Sequence, residues 1–138
     1  MTHIESLTKS FIYIFNELKT NVDSARRPLR KIVIAVSNRR DLNLREQSLR
    51  EAMAMAEGIH LCKDLGNLPA NICTPNYLAD EAYKLEKIYS KLSVEVLNEE
   101  QMTELKMGAL LSVSRGTREE AKLITLNYQG GPEKQKPI

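Results

Sequence analysis

Apolar positions divide the chain into a helical first half and an alternating second half. Ile4, Leu7, Phe11, Ile14 and Leu18 recur at spacings of three and four, and Ile12 and Phe15 widen the stripe, which predicts an amphipathic helix over 3–20. Ile32 to Val36 is short, apolar and largely β-branched, and it stops at Ser37-Asn38, so it reads as a buried strand. Residues 42–66 carry the longest helical pattern. Leu49, Met53, Ala56 and His60 follow one stripe of it, with Ala52, Met55, Ile59 and Cys62 beside them. A helix apolar around much of its girth and rich in Ala and Met is expected between two layers, as a bridge joining two domains would be.

Beyond residue 66 the pattern changes. Asn67, Pro69 and Asn71 disfavour continued helix, because proline pushes Leu68 out of the helical region and asparagine side chains bond their own backbone in turns. Thr74 is a good N-cap and Pro75 is pre-set for the first helical position, which predicts a helix over Thr74 to Ser90. Leu78, Ala82, Leu85 and Tyr89 line one face of it. Asp80 and Glu81 come early and Lys84 and Lys87 late, in accord with the helix dipole. Leu92 to Leu97 alternates as a half-buried strand does, and Asn98 caps a short helix from Glu99 to Lys106, ended by Gly108.

Residues 109–114 fit a short helix and a strand equally well. Lys122 to Tyr128 is a β-run, Gln129-Gly130-Gly131-Pro132 is a strong turn, and Lys136-Pro137-Ile138 opens a further strand. From Thr74 onward the order describes an α/β architecture. Its sheet edges lack partners if nothing follows, and a domain stopping on the first residues of a strand reads as cut.

Composition narrows the class. At 138 residues, 42% hydrophobic and 28% charged, the chain suits a soluble protein with a modest core. No apolar run approaches the roughly 18–20 residues that span a bilayer. Phe11 to Phe15 is too short for a signal segment and Glu5 precedes it, so secretion is not expected. Cys62 and Cys73 make no disulfide framework, which fits a reducing cytoplasm. The net charge of +2 is unevenly spread, with ten Lys/Arg against five Asp/Glu in residues 1–50 and ten against thirteen afterwards. Two environments within one chain would produce that split.

Candidate chemistry is sparse. Gly-x-Ser-x-Gly, His-Glu-x-x-His, the Walker loop and Gly-x-Gly-x-x-Gly are all missing. The histidines are His3, near the terminus, and His60. His60, Cys62, Asp64 and Cys73 are the one constellation with metal-ligand chemistry. His60 and Asp64 share a helix face, but Cys62 points elsewhere and Cys73 follows a loop, so a buried Cys62 and a partly exposed His60 are expected in place of a convergent zinc site. Arg26-Arg27-Pro28-Leu29-Arg30-Lys31 could meet phosphates, yet without aromatic interleaving it reads as a solvated loop beside a strand. Glu99-Glu100 and Glu119-Glu120 read as solvated charge and not as an acid–base pair. The residues alone nominate no catalytic, metal-binding or substrate-binding position.

The order of particular residues adds a family likeness. Asp64-Leu65-x-Asn67-x-Pro69-Ala70-Asn71-x-x-Thr74-Pro75-x-x-Leu78-Ala79 resembles the segment joining the interdomain helix to the catalytic domain in leucyl (cytosol) aminopeptidases. Lys106-Met107-Gly108-Ala109-Leu110-Leu111-Ser112-Val113 with Arg115-Gly116-Thr117 resembles the next family block, where serine is commoner than Thr117. Leu123 to Gly131 is similar to the strand and turn after it, and Lys136-Pro137-Ile138 to the approach to the first metal-binding strand. The blocks keep the family's order and spacing across 63–138.

The likeness implies three regions: 1–41 as the remnant of an N-terminal α/β domain, 42–68 as a linker helix, and 69–138 as the first part of a mixed-sheet, zinc-exopeptidase-like catalytic domain. It implies a cytoplasmic, hexameric exopeptidase that removes N-terminal residues from peptides. Two divalent cations, zinc or manganese, would polarise the scissile carbonyl and supply a bridging hydroxide there. Their Lys, Asp and Glu ligands, and an Arg that binds a bicarbonate base, follow the strand that opens at Pro137-Ile138. Carried over residue by residue, the likeness places no catalytic residue in this chain. The polypeptide alone is expected to be inactive and to hold no metal, with a non-catalytic association module, or more weakly a basic nucleic-acid-binding segment, as the alternative.

Overall fold

Long helices form where good helix formers predominate and no proline intervenes, and Leu42–Asn67 is such a run despite Gly58 and Gly66. The computed structural model describes residues 12–20, 31–33, 35 and 38–132, and shows this run as a single 26-residue helix, α1, entered through a 3-10 turn at Arg39–Asp41. The chain divides into two units, Met1–Leu68 and Pro69–Ile138.

In the first unit, burial along α1 is confined to Ala52 and Ala56, one helical turn apart. Leu44, Met53, Met55 and Ile59 remain exposed, so the described residues do not supply the two covering layers that the apolar girdle implies. Two further expectations differ here. The helix expected over 3–20 has ended by Tyr13: Tyr13–Asn16 are irregular, and Glu17-Leu18 form a turn closed by the Lys19 N–H on the Asn16 carbonyl at 3.1 Å. The aromatic and β-branched run Ile12 to Phe15 has weak helix propensity, and Tyr13 has a bonding partner elsewhere. Residues 3–11 lie outside the described residues. The strand expected at Ile32 to Val36 is also absent where the chain is described, and Ile32 and Val33 are exposed. A strand needs a neighbour to pair with, and none stands among the described residues of this unit.

The second unit starts with a tight turn in which the Ile72 and Cys73 N–H groups both donate to the Pro69 carbonyl. Thr74 then caps α2, Pro75–Ile88, its hydroxyl accepting from the Tyr77 N–H at 3.2 Å, with Pro75 in the first turn as expected. The buried face of α2 is centred on Ala79 and Ala82, while Leu78 and Tyr89 are exposed. Of the expected face, Ala82 is buried and Leu85 half-buried, and the packed side is shifted toward Ala79, because small residues let the helix sit close to the sheet.

Strand β1, Leu92–Leu97, pairs antiparallel with β2, Leu123–Tyr128, in the register Leu92 to Tyr128 and Leu97 to Leu123. Helix α2 packs on this two-stranded sheet, mainly on β1. The ring of the exposed Tyr128 lies where a side chain on Gly130 would begin, so a larger residue there would have to displace that ring.

Between the strands lie two short helices packed on each other, α3, Glu99–Glu104, and α4, Gly108–Ser114, which makes 109–114 helical. Asn98 and Gln101 form a reciprocal capping box at the start of α3. Its end differs from expectation. Lys106, at φ 59°, is the left-handed residue that stops the helix, with its N–H on the Thr103 carbonyl and the Met107 N–H on the Met102 carbonyl. Gly108 instead opens α4. Met102 is the largest fully buried side chain of the described residues. The further strand expected at Lys136-Pro137-Ile138 lies outside them.

Candidate functional site

The last two turns of α1 gather the richest polar contacts of the first unit. The Tyr13 hydroxyl donates to Asp64 Oδ1 at 2.5 Å and accepts from Asn67 Nδ2 at 3.3 Å. Asn67 Nδ2 also donates to the Lys63 carbonyl, one turn earlier in the helix, at 2.8 Å. The His60 ring is tilted 44° to that of Tyr13 with centroids 5.4 Å apart, and Lys63 Nζ stands 5.1 Å from the Tyr13 ring centre. Partial burial of Tyr13, and then its bond to the Asp64 carboxylate, hold the phenol above the ordinary tyrosine range. The i, i+3, i+4 and i+7 positions of α1 thus form a cradle for one tyrosine.

This arrangement consumes the metal-ligand candidates. Asp64 is engaged by Tyr13 and His60 lies against its ring. Cys62, expected to be buried, is exposed, because it projects from a different side of α1. Cys73 is half-buried in the second unit. Among the described residues no group of three or more His, Cys, Asp or Glu comes together as a metal site would require, so they do not fit the metal pair that the resemblance implies.

The carboxylate pairs serve the second unit's backbone. Glu99 Oε1 accepts from the Ala121 N–H at 2.8 Å, tying the start of α3 to the approach to β2. Glu120 pairs with Lys122 at 2.5 Å, and that bond holds its carboxyl below the usual carboxylate range. Glu100 and Glu119 are exposed. A shallow open depression on α2 is lined by Tyr77, Asp80, Glu81, Lys84 and Lys87 among others, and within it Lys84 pairs with Glu81 at 2.5 Å. Of the basic cluster only Lys31 falls within the described residues, where it is exposed; Arg26, Arg27, Pro28, Leu29 and Arg30 lie outside them, as does His3. No described helix is long and apolar enough to cross a membrane.

Sequence reasoning missed Tyr13, which meets Asp64 across 51 positions, and no local signal marks that pairing. It also missed Glu86, whose carboxylate accepts from the Val94 N–H at 2.8 Å.

With this geometry in place, comparison with known proteins decides the family. The profile of the cytosol aminopeptidase family, catalytic domain, matches residues 60–138, more than half of the chain. The chain belongs to that family. A probable cytosol aminopeptidase of Thioalkalivibrio sulfidiphilus is 47% identical over 133 residues, covering 96% of this chain and 27% of that protein. The cytosol aminopeptidase of Vibrio cholerae is 42% identical over 132 residues, covering 95% and 26%. Among solved structures, the bottromycin maturation enzyme BotP superposes with a TM-score of 0.74 at 25% identity, over 93% of this chain and 26% of its own; its complex with Mn gives 0.75. The chain thus spans about a quarter of the length of the curated relatives it matches. Family membership and the mixed α/β fold agree with the residue blocks of 63–138.

Proposed function

We propose that this chain is a segment of a metal-dependent aminopeptidase, and that the groups which cleave the peptide bond lie outside it. In this reading 1–41 is the remnant of an N-terminal domain, 42–68 a linker helix, and 69–138 the opening of the catalytic domain. The observation that carries it is the catalytic-domain match over 60–138 in a chain that spans only a quarter of its relatives. The full-length protein would be a cytoplasmic hexamer using two zinc or manganese ions to release N-terminal residues, leucine among them, from peptides. Manganese in a BotP complex supports that choice of metal.

Incubation of the purified chain with a leucine anilide and Mn²⁺ tests the reading: release should not exceed a metal-only blank. Turnover above the blank, lost on chelation, would refute it. A second reading, a non-catalytic association module, draws on the bare apolar surface, including Leu44 at 63% and Val113 at 84% exposure. A compact, cooperatively melting monomer on sizing chromatography would favour a self-sufficient module over a dependent segment.

A further inference from the structure

The ladder between β1 and β2 does not stop at its last backbone pair. The Gln129 N–H donates to the Lys91 carbonyl at 2.9 Å, which fixes the alternation of the antiparallel bonds. In the observed register Ser93, Glu95 and Leu97 therefore exchange bonds with Asn127, Thr125 and Leu123, and the next such pair would be Glu99 with Ala121. Glu99 has by then turned into α3, where its carbonyl accepts from the Thr103 hydroxyl at 2.7 Å. Its side chain takes the vacant place in the ladder, Glu99 Oε1 accepting from the Ala121 N–H at 2.8 Å. From the opposite side the Glu120 carboxylate faces the Glu99 backbone N–H and pairs with Lys122 Nζ at 2.5 Å. Two carboxylates thus add a rung to the sheet beyond the ends of both strands.

What lies between the two halves of that rung has little stability of its own. Helices α3 and α4 have six and seven residues, far short of the roughly 12–15 that an isolated helix needs in water. They pack on each other, Leu105, Leu110 and Val113 stay exposed, and Met102 is the one buried side chain among residues 98–121. The charges around the rung are few. Lys122, its side chain 15% exposed, is the cation that meets Glu120. Glu100, Glu104, Lys106, Arg115, Arg118 and Glu119 are exposed, α4 carries no charge, and Glu95 on β1 faces solvent as well. The bond to Lys122 holds the Glu120 carboxyl below the usual range. Its contribution is therefore complete above the ordinary carboxylate value and is lost as pH falls through the lowered one, leaving the Lys122 ammonium without its partner.

We propose that Glu99 and Glu120 form an acid-releasable clasp, and that residues 98–121 open and melt together as a flap while the sheet and α2 stay folded. Once the clasp loses its charge, two helices too short to stand alone are held by little besides Met102. The inference concerns the fold of this chain itself and is independent of the catalytic reading.

Amide hydrogen exchange of the full chain, corrected for the intrinsic effect of pH, tests it. From about pH 7 to about pH 4 the Met102, Met107, Leu111 and Ala121 amides should speed up together by about three- to tenfold relative to Thr125 in the ladder. Glu120→Gln should show the faster exchange already at neutral pH and lose most of the pH response. Glu119→Gln, which alters an exposed neighbour outside the clasp, should behave as the parent. Glu99→Ala should free the Ala121 amide, and Glu99→Gln, which keeps an acceptor oxygen, should largely restore its protection. Peroxide oxidation gives a readout that needs no variant: Met102 should react several-fold faster in acid, with the exposed Met53 and Met55 as internal standards. Flap and sheet amides that accelerate together, equal behaviour of Glu119→Gln and Glu120→Gln, or a Met102 as well protected in acid as at neutral pH would each overturn the proposal.

Discussion

Lys106 is the one non-glycine residue with positive φ among the described residues, and replacing it by glycine should stabilise the second unit. Its φ of 59° is imposed by the end of α3, where the Lys106 and Met107 N–H groups reach back to the Thr103 and Met102 carbonyls. An L-residue pays about 1–2 kcal/mol for the left-handed region, where Cβ crowds the following carbonyl oxygen. Glycine removes that clash but loses more chain entropy on folding, about 0.5–1 kcal/mol. Lys106 is exposed, so its side chain forfeits little packing. The net gain for Lys106→Gly is about 0.5–1 kcal/mol, or roughly 2–8 °C in Tm for a unit of this size. Urea unfolding followed by circular dichroism measures it, with an unchanged slope showing that stability has shifted while the surface exposed on unfolding has not. Lys106→Asn should fall between lysine and glycine, and Lys106→Val below lysine, because β-branching worsens the crowding. A glycine variant less stable than the parent, or a valine variant more stable, would refute the reasoning.

Met102→Ala removes the largest fully buried side chain and should cost about 2–5 kcal/mol, enough to cancel most of the stability of a small unit; loss of the cooperative urea transition is the readout. The Tyr13 phenol is held above its ordinary pKa, so the stability it contributes is complete below the unfolded tyrosine value and disappears as pH rises through the folded one. Alkaline titration should therefore loosen the first unit in the parent chain and less so in Tyr13→Phe, read by phenolate absorbance beside circular dichroism; identical alkaline profiles would remove Asp64 as its partner. The purified chain should retain no stoichiometric zinc after exposure and desalting, since His60 and Asp64 are already committed to Tyr13; a tightly held ion would contradict that assignment.

Local pattern was sufficient for the elements whose causes are local. The 26-residue run of helix formers, the Thr74-Pro75 start, the Asn98 cap and the alternating Leu92 to Leu97 strand all appear as their residues require, because caps and periodicity act within a few positions. The residue blocks from Asp64 onward also carried the family likeness. Other features had no local cause to read. Segment 109–114 is helical because it packs on α3, and its short apolar run alone suits either state. The stop at Lys106 depends on backbone bonds around Met102 that override its side-chain preference.

Sequence by itself therefore determined the regular segments whose causes are local, such as α1, the starts of α2 and α3 and strand β1, and the family to which the chain belongs. Tertiary structure decided which face of α2 is buried, that Tyr13 occupies the polar end of α1, and that Glu99 ties α3 to the approach to β2. Those outcomes rest on contacts such as Tyr13 with Asp64, 51 positions apart, and Ala121 with Glu99, 22 apart. Chain closure over such distances is set by the whole packing arrangement, and no short window of residues encodes it.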